Sequence, residues 1–171
     1  LAVALRGHGI EQVADVRRYP ASRRHPQYNR EILAEYLDSQ RIAYRWFEEL
    51  GGRRGRTAAA SPNRGLEVPA FRHYADYMQT PEFRRAFDDL VAWMRHARTA
   101  VLCAEKLWWR CHRRLLSDLL VARGGTVHHI RDAATAEEHL LWELAVATPE
   151  GLVYPPEQGE LGLGRATESS S

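Results

Sequence analysis

Gln12-Val13-Ala14-Asp15-Val16-Arg17-Arg18 is the stretch on which the fold turns. Residues 12–16 are short, mostly apolar and without polar alternation, which reads as a strand buried on both faces, the usual state of a parallel strand. Asp15-Val16-Arg17 then places charge at its carboxyl end. Toward the N-terminus, Leu1 to Gly9 read as the end of a helix closing on glycine, since Gly7 and Gly9 suit a left-handed C-terminal turn. Toward the C-terminus a polar loop leads to Asn29, a candidate helix cap, and to the stripe Ile32, Leu33, Tyr36 and Leu37.

The same alternation continues along the chain. A second strand is expected at about Ala43–Phe47, followed from Leu50 to Pro69 by a glycine- and proline-rich stretch without hydrophobic periodicity, read as a long loop and candidate lid. Phe71–Met78 reads as a short helix. Thr80-Pro81 is a cap and first-turn proline for the next one, whose Phe83, Ala86, Phe87, Leu90, Val91 and Met94 recur at helical spacing. A third strand at Ala100–Cys103 precedes a helix from about Cys111 to Arg123, bearing Leu115, Leu116, Leu119 and Leu120 and stopping at Gly124-Gly125. Val127–Ile130 is the expected fourth strand. Thr135 and Glu138 form a capping box ahead of an expected final helix with Leu140, Leu141 and Leu144. Strands alternating with helices predict an α/β fold: three layers, a mainly parallel sheet of about four to five strands, and helices on both faces. The expected organisation is one domain over residues 1–148 and a mobile C-terminal tail over 149–171.

Composition fits an ordinary globular protein: 171 residues, 44% hydrophobic and 27% charged. No apolar run approaches the roughly 20 residues of a membrane helix, and Leu1–His8 lacks the pattern of a secretory signal. The expected location is cytoplasmic, with no membrane partner. Two cysteines, Cys103 and Cys111, are too few for a disulfide-stapled scaffold and are expected to be reduced.

The net charge of +2 hides an uneven distribution. Residues 16–30 carry Arg17, Arg18, Arg23, Arg24 and Arg30; residues 50–66 carry Arg53, Arg54, Arg56 and Arg64; residues 106–117 carry Lys106, Arg110, Arg113 and Arg114. None of these windows contains an acid. The rest of the chain is therefore net acidic. Each window begins just after an expected strand, and the carboxyl ends of parallel strands share one rim, where ligands of such sheets bind. A positive cleft is expected there, able to focus its field on phosphates or carboxylates.

Cys103-Ala104-Glu105 closes the third expected strand and Arg110-Cys111-His112-Arg113 opens the helix after it. Backbone N–H groups at a helix start and a nearby arginine both favour a thiolate at Cys111. His112 at the same terminus suits a neutral base or ligand, and Glu105 suits a proton acceptor or an orienter of arginine. Trp108 and Trp109 offer a stacking surface. Each has a structural alternative: a buried thiol, a capping histidine, packed indoles. Cys103, Cys111 and His112 do not match a recognised zinc spacing, so neither a metal nor another cofactor is expected. His128 and His129 alternate across a strand and cannot share a site.

Several motifs in order carry a resemblance: Asp15-Val16-Arg17-Arg18; Ser22-Arg23-Arg24 with Pro26-Gln27-Tyr28-Asn29; Leu50-Gly51-Gly52-Arg53; Phe71-Arg72 through Tyr74-Ala75-Asp76-Tyr77-Met78; Cys103-Ala104-Glu105; and Arg110-Cys111-His112-Arg113. Together, over about Leu1 to Arg131, they resemble the bacterial and archaeal domain of unknown function 488 family. The resemblance implies an α/β fold and these motif positions, but no activity. Members usually begin with a strand ending in Gly-His-Ser, which has no counterpart before Leu1, so that first strand is expected to be missing from this chain.

These readings nominate Asp15, Glu105, Cys111 and His112 for chemistry. Arg17, Arg18, Ser22, Arg23, Asn29, Gly51, Gly52, Arg53, Arg110 and Arg113 are nominated for anion binding, with Cys103 as an accessory thiol. The first functional expectation is a domain recognising a phosphate-bearing small molecule or nucleic acid, acting as an enzyme on it. The alternatives are a thiol-dependent enzyme with a weak likeness to rhodanese sulfur transfer, and a non-catalytic nucleic-acid-binding module.

Overall fold

The structure, a computed structural model, describes residues 1–55 and 60–156. Strand β1 (Gln12–Asp15) lies between β2 (Ala43–Trp46) and β3 (Thr99–Leu102), and both pairings are parallel, with Asp15 opposite Trp46 on one side and Leu102 on the other. All four residues of β1 are buried, as the apolar run predicts for a central parallel strand. Parallel neighbours need long connections. Helix α1 (Ala2–Gly7) precedes β1, α2 (Arg30–Ser39) links β1 to β2, and α3 (Pro69–Met78) and α4 (Pro81–Met94) lie between β2 and β3.

Successive strand side chains point to opposite faces, so Val13 and Ala14 join different apolar clusters. Val13 packs with Leu5, Ile10, Leu33, Leu37 and Ile42. Ala14 belongs to the larger cluster containing Phe47, Leu50, Tyr74, Phe83, Phe87 and Leu90, together with Leu115 and Leu116 of α5 (Arg113–Ala122). Local signals act as expected at several element ends. The Thr80 hydroxyl accepts the Phe83 N–H at 3.3 Å with Pro81 in the first turn, and Gly9 and Gly124 adopt left-handed conformations after α1 and α5. Asn29 departs from its expected role: it is the N-cap of α2 by position, yet its side chain caps nothing and accepts the Ser22 N–H at 2.6 Å. Of the α2 stripe, Leu33 and Leu37 are buried while Ile32 and Tyr36 are exposed.

The C-terminal third corrects the expected architecture. Among the described residues the parallel sheet has three strands, not four or five. The fourth strand, β4 (His128–Ile130), pairs antiparallel with β5 (Ala136–Glu138) in a separate hairpin. The expected final helix is absent: Thr135 donates its hydroxyl to Asp132 instead of capping, Glu138 lies in β5, and Leu140 and Leu141 are exposed. A capping box is a local preference of a few groups, and here the pairing of residues 128–130 with 136–138 prevails over it. A second hairpin follows, β6 (Val146–Thr148) with β7 (Gly151–Val153). Leu152 and Tyr154, within the stretch assigned above to the tail, are fully buried in the larger core; residues 157–171 lie outside the described residues.

A polar network fixes this region to α5. Buried Asp118 accepts hydrogen bonds from the Trp142 N–H, the Tyr154 hydroxyl and the His139 ring, each at 2.9 Å. With His139 Nε2–H donating to the carboxylate, its Nδ1 accepts from His129 Nε2 at 2.9 Å. Trp108 stacks on His129 with ring centroids 3.8 Å apart. The described parts of the long loop are also anchored, because buried Asn63 accepts the Tyr154 N–H and donates to Asp76. Residues 56–59 of the expected lid lie outside the described residues. Among the described residues, no helix is long and apolar enough to cross a membrane.

Candidate active site

Chain direction in the parallel sheet brings the segments after β1, β2 and β3 to one rim. Past β1, Val16 N–H bonds to Leu102 O of β3, and Phe47 N–H, past β2, bonds to Asp15 O. A 3-10 turn at Glu48–Leu50 then delivers Gly51 and Gly52. A Cβ on Gly51 would sit 2.6 Å from the Arg18 Cα, and one on Gly52 would sit 2.7 Å from His112 Nδ1. Only glycine allows both approaches, so the loop after β2 is pressed against the segments following β1 and β3. Arg53, next in line, holds φ at 59°, a left-handed conformation uncommon for a side-chain-bearing residue.

Beyond β3 come Cys103 and a 3-10 turn at Trp108–Arg110, in which the Trp108 carbonyl accepts the Cys111 N–H at 3.1 Å. Cys111 is extended (φ −121°), and His112, the N-cap of α5, is helical (φ −55°). That change of direction lets adjacent side chains meet. His112 Nδ1 lies 3.6 Å from Cys111 Sγ and 3.9 Å from Cys103 Sγ. Both cysteines are free thiols, Cys111 buried and Cys103 half-buried. Arg113 Nε donates to Cys111 Sγ at 3.5 Å, and its Nη2 donates to the Glu105 carbonyl. The Tyr74 ring covers His112 at 4.9 Å between centroids, with its hydroxyl donating to Leu50 O at 2.8 Å.

The hydrogen bond from the Cys103 thiol, assisted by His112 and Arg113 and opposed by burial, holds Cys111 well below the ordinary thiol range. The same hydrogen bond, together with burial, pushes Cys103 well above it. His112 Nε2 is buried and has no hydrogen-bond partner among the described residues. Such atoms are rare in folded proteins because each forfeits the hydrogen bonds it made to water.

The chain belongs to the domain of unknown function DUF488 family. The family model so described matches residues 1–120, a span that includes β1, β2, β3 and the Cys103–His112 centre. No curated protein and no solved structure matches the chain.

The motif positions of this DUF488 chain divide into two groups. Gly51, Gly52, Arg18, Cys103, Cys111, His112 and Arg113 are brought together. Asp15 and Arg17, expected to move a proton and bind an anion, instead face each other. Arg17 Nε donates to Asp15 Oδ1 at 2.9 Å, its Nη2 lies 2.5 Å from Oδ2, and its Nη1 donates to Tyr28 O at 2.7 Å. Tyr44 adds a hydroxyl to Asp15 Oδ2 at 2.6 Å. Burial and this neighbouring carboxylate push the Tyr44 pKa up. Asp15 is fully buried and Arg17 nearly so, so the pair braces the rim from inside.

Arg18 pairs with Glu48 at 3.1 Å. Ser22 and Asn29 tie their own loop, since Ser22 Oγ also accepts the His25 N–H at 3.0 Å. Glu105 is exposed and accepts the Leu107 N–H at 3.0 Å. Arg23, Arg53 and Arg110 are exposed and form no ion pair among the described residues. Sequence reasoning gave Tyr74 and Tyr44 no role. Tyr74 lies within a quoted motif, but an aromatic on a helix reads as core until its neighbours are known.

Proposed function

We propose that this domain binds an anionic, phosphate-bearing ligand at the carboxyl rim of its sheet, with the Cys111–His112 centre as the reactive group of an enzyme. The observation that carries the reading is His112 Nε2, a buried ring nitrogen without a partner among the described residues, in a side chain that touches both thiols and the Gly51-Gly52 loop. A ligand oxygen bonded there would complete the site. With imidazolium paired to thiolate, Nε2–H donates to an oxyanion; with neutral imidazole, the ring is a base or acceptor. Arg53 and Arg110, exposed on two of the three converging segments, supply guanidinium groups suited to bidentate contact with phosphate.

The test is thermal shift and equilibrium binding with inorganic phosphate, nucleotides and short oligonucleotides. Stabilisation should follow mass action and fall in both Arg53→Gln and His112→Ala. No response to any of these ligands refutes the reading. A nucleic-acid-binding module has its own support in the exposed Arg23, Arg24, Arg53 and Arg110. It predicts affinity that falls steeply with salt but survives His112→Ala. Sulfur transfer is favoured by the thiolate character of Cys111; like the anion reading, it requires the centre to open to its substrate, since Cys111 is only 4% exposed and His112 Nε2 is buried.

A further inference from the structure

We propose that Cys103, Cys111 and His112, the last through Nδ1, form a three-ligand site for zinc, with water in the fourth coordination position and His112 Nε2 left to the anionic ligand. The inference rests on the same site as the function proposed above and specifies its chemistry. It begins from geometry that the linear sequence conceals, since neither the seven-residue gap between the cysteines nor the Cys-His adjacency is a recognised zinc spacing.

The three ligand atoms lie within 4.8 Å of one another, and no other group of three or more such residues meets that standard among the described residues. Zinc holds thiolate sulfur at about 2.3 Å and imidazole nitrogen at about 2.0–2.1 Å in a tetrahedron, which separates sulfur from nitrogen by about 3.6 Å. The observed separations from His112 Nδ1 are 3.6 Å to Cys111 Sγ and 3.9 Å to Cys103 Sγ. The two sulfurs lie within 4.8 Å of each other, where such a tetrahedron needs about 3.8 Å, so coordination requires side-chain adjustments of up to about an ångström. Unlike helix-borne ligands, these come from three backbone settings: a residue just past β3, an extended residue and a helix N-cap. Two soft sulfur donors with one imidazole favour zinc over magnesium or calcium, which prefer oxygen.

The surroundings suit such a site. Gly52 leaves no room between its loop and His112 Nδ1, and Tyr74 covers the other part of the ring, so the imidazole has little freedom to turn away. Arg113 donates to Cys111 Sγ, a contact that tempers the charge of a zinc-bound thiolate. Both cysteines coordinate as thiolates, and any proton that either sulfur or His112 Nδ1 held before binding passes to solvent; two thiolates and one Zn²⁺ are neutral together, and the metal stays divalent throughout. Three protein ligands with one open position is the arrangement of catalytic rather than structural zinc, in which a bound water is acidified or a phosphoryl oxygen polarised.

The experiment uses the full chain, purified under reducing conditions and stripped of metal, titrated with zinc against a chromophoric chelator and separately with cobalt(II). One equivalent should bind, and cobalt should give the ligand-field bands of a tetrahedral site with thiolate-to-cobalt charge transfer. Cys103→Ser, Cys111→Ser and His112→Ala should each weaken zinc binding by at least about tenfold, a loss of about 1.4 kcal/mol, whereas His128→Ala should leave it unchanged. Absence of stoichiometric binding, an octahedral cobalt spectrum, or binding that survives both serine variants overturns the proposal. The cobalt spectrum needs only the unmutated chain, so a variant that fails to fold does not obscure the result. Phosphate and nucleotide binding to the metal-free chain is read separately. If ligands bind there while cobalt gives no thiolate band, the zinc proposal fails alone; if the band appears and no anion responds with or without metal, the anion reading fails alone.

Discussion

Gly52→Ala tests whether the loop after β2 is pressed against the histidine. Gly52 has no positive φ, so alanine meets no backbone penalty there, and the whole effect comes from contact. Its Cβ would lie 2.7 Å from His112 Nδ1, 3.1 Å from Cγ and 3.3 Å from Cε1, where ordinary contacts fall at 3.4–4 Å. The ring must retreat, or the loop must lift and drag Gly51 from its close packing on Arg18. An imidazole is rigid, and this one is bounded by two sulfurs and the Tyr74 ring. Overpacking of this kind costs roughly 1–3 kcal/mol. With a urea m-value of about 2 kcal/mol/M, the unfolding midpoint should fall by on the order of 1 M at unchanged m. Gly55→Ala is the control: nothing lies within 4 Å of its Cβ, and loss of unfolded-state entropy should make it neutral to about 1 kcal/mol stabilising. Equal midpoints for the two variants would refute the packing of Gly52 on His112, and with it the convergence of the three segments.

Two further predictions follow from buried charge. Asp15→Asn leaves Arg17 with an unpaired charge in a site only 7% exposed and should cost roughly 3–5 kcal/mol in chemical denaturation; a loss under about 1 kcal/mol would mean that Arg17 can reach solvent. His129 is held down to about 4 by burial first and then by the neighbouring His139 and Arg113 charges. The unfolded chain therefore takes up a proton near pH 6.5 that the folded chain resists until about pH 4. Stability should accordingly be complete above about pH 6.5 and decline as pH falls toward 4. For a half-buried ring the loss should be reduced by solvent screening to roughly 1–2 kcal/mol. His129→Phe, which keeps the stack on Trp108, should flatten this part of the pH profile; an unaltered profile would assign it to other groups.

The fold was legible where local and tertiary preferences agree. The β1 run, the Thr80-Pro81 start and the Phe83–Leu90 stripe each need only neighbours in sequence to be read, and each was realised. Reading failed where a distant partner decided the outcome. Thr135 and Glu138 carry a helix signature, yet residues 136–138 pair with 128–130, and the apolar Leu140 and Leu141 remain in solvent. Tyr154 sits in a proline-flanked stretch that reads as tail, but Asp118 of α5 and Asn63 of the long loop both bond to it. The candidate site was legible as a set of segments, because chain direction in a parallel sheet fixes where strand ends emerge. It was not legible as roles, since Arg17 and Asp15 differ from Arg53 and Glu105 only in what surrounds them.

Sequence by itself determined the alternation of strands and helices as far as α5, the buried centre of the sheet and the rim on which the glycine and cysteine-histidine segments meet, because periodicity and chain direction are local properties. Tertiary structure alone decided which charges neutralise each other, that Gly51 and Gly52 are places of contact, and that Cys103, Cys111 and His112 stand at metal-ligand distances. Those outcomes depend on ångström-scale separations between residues far apart in the chain, and side-chain spacing along a sequence carries no such distances.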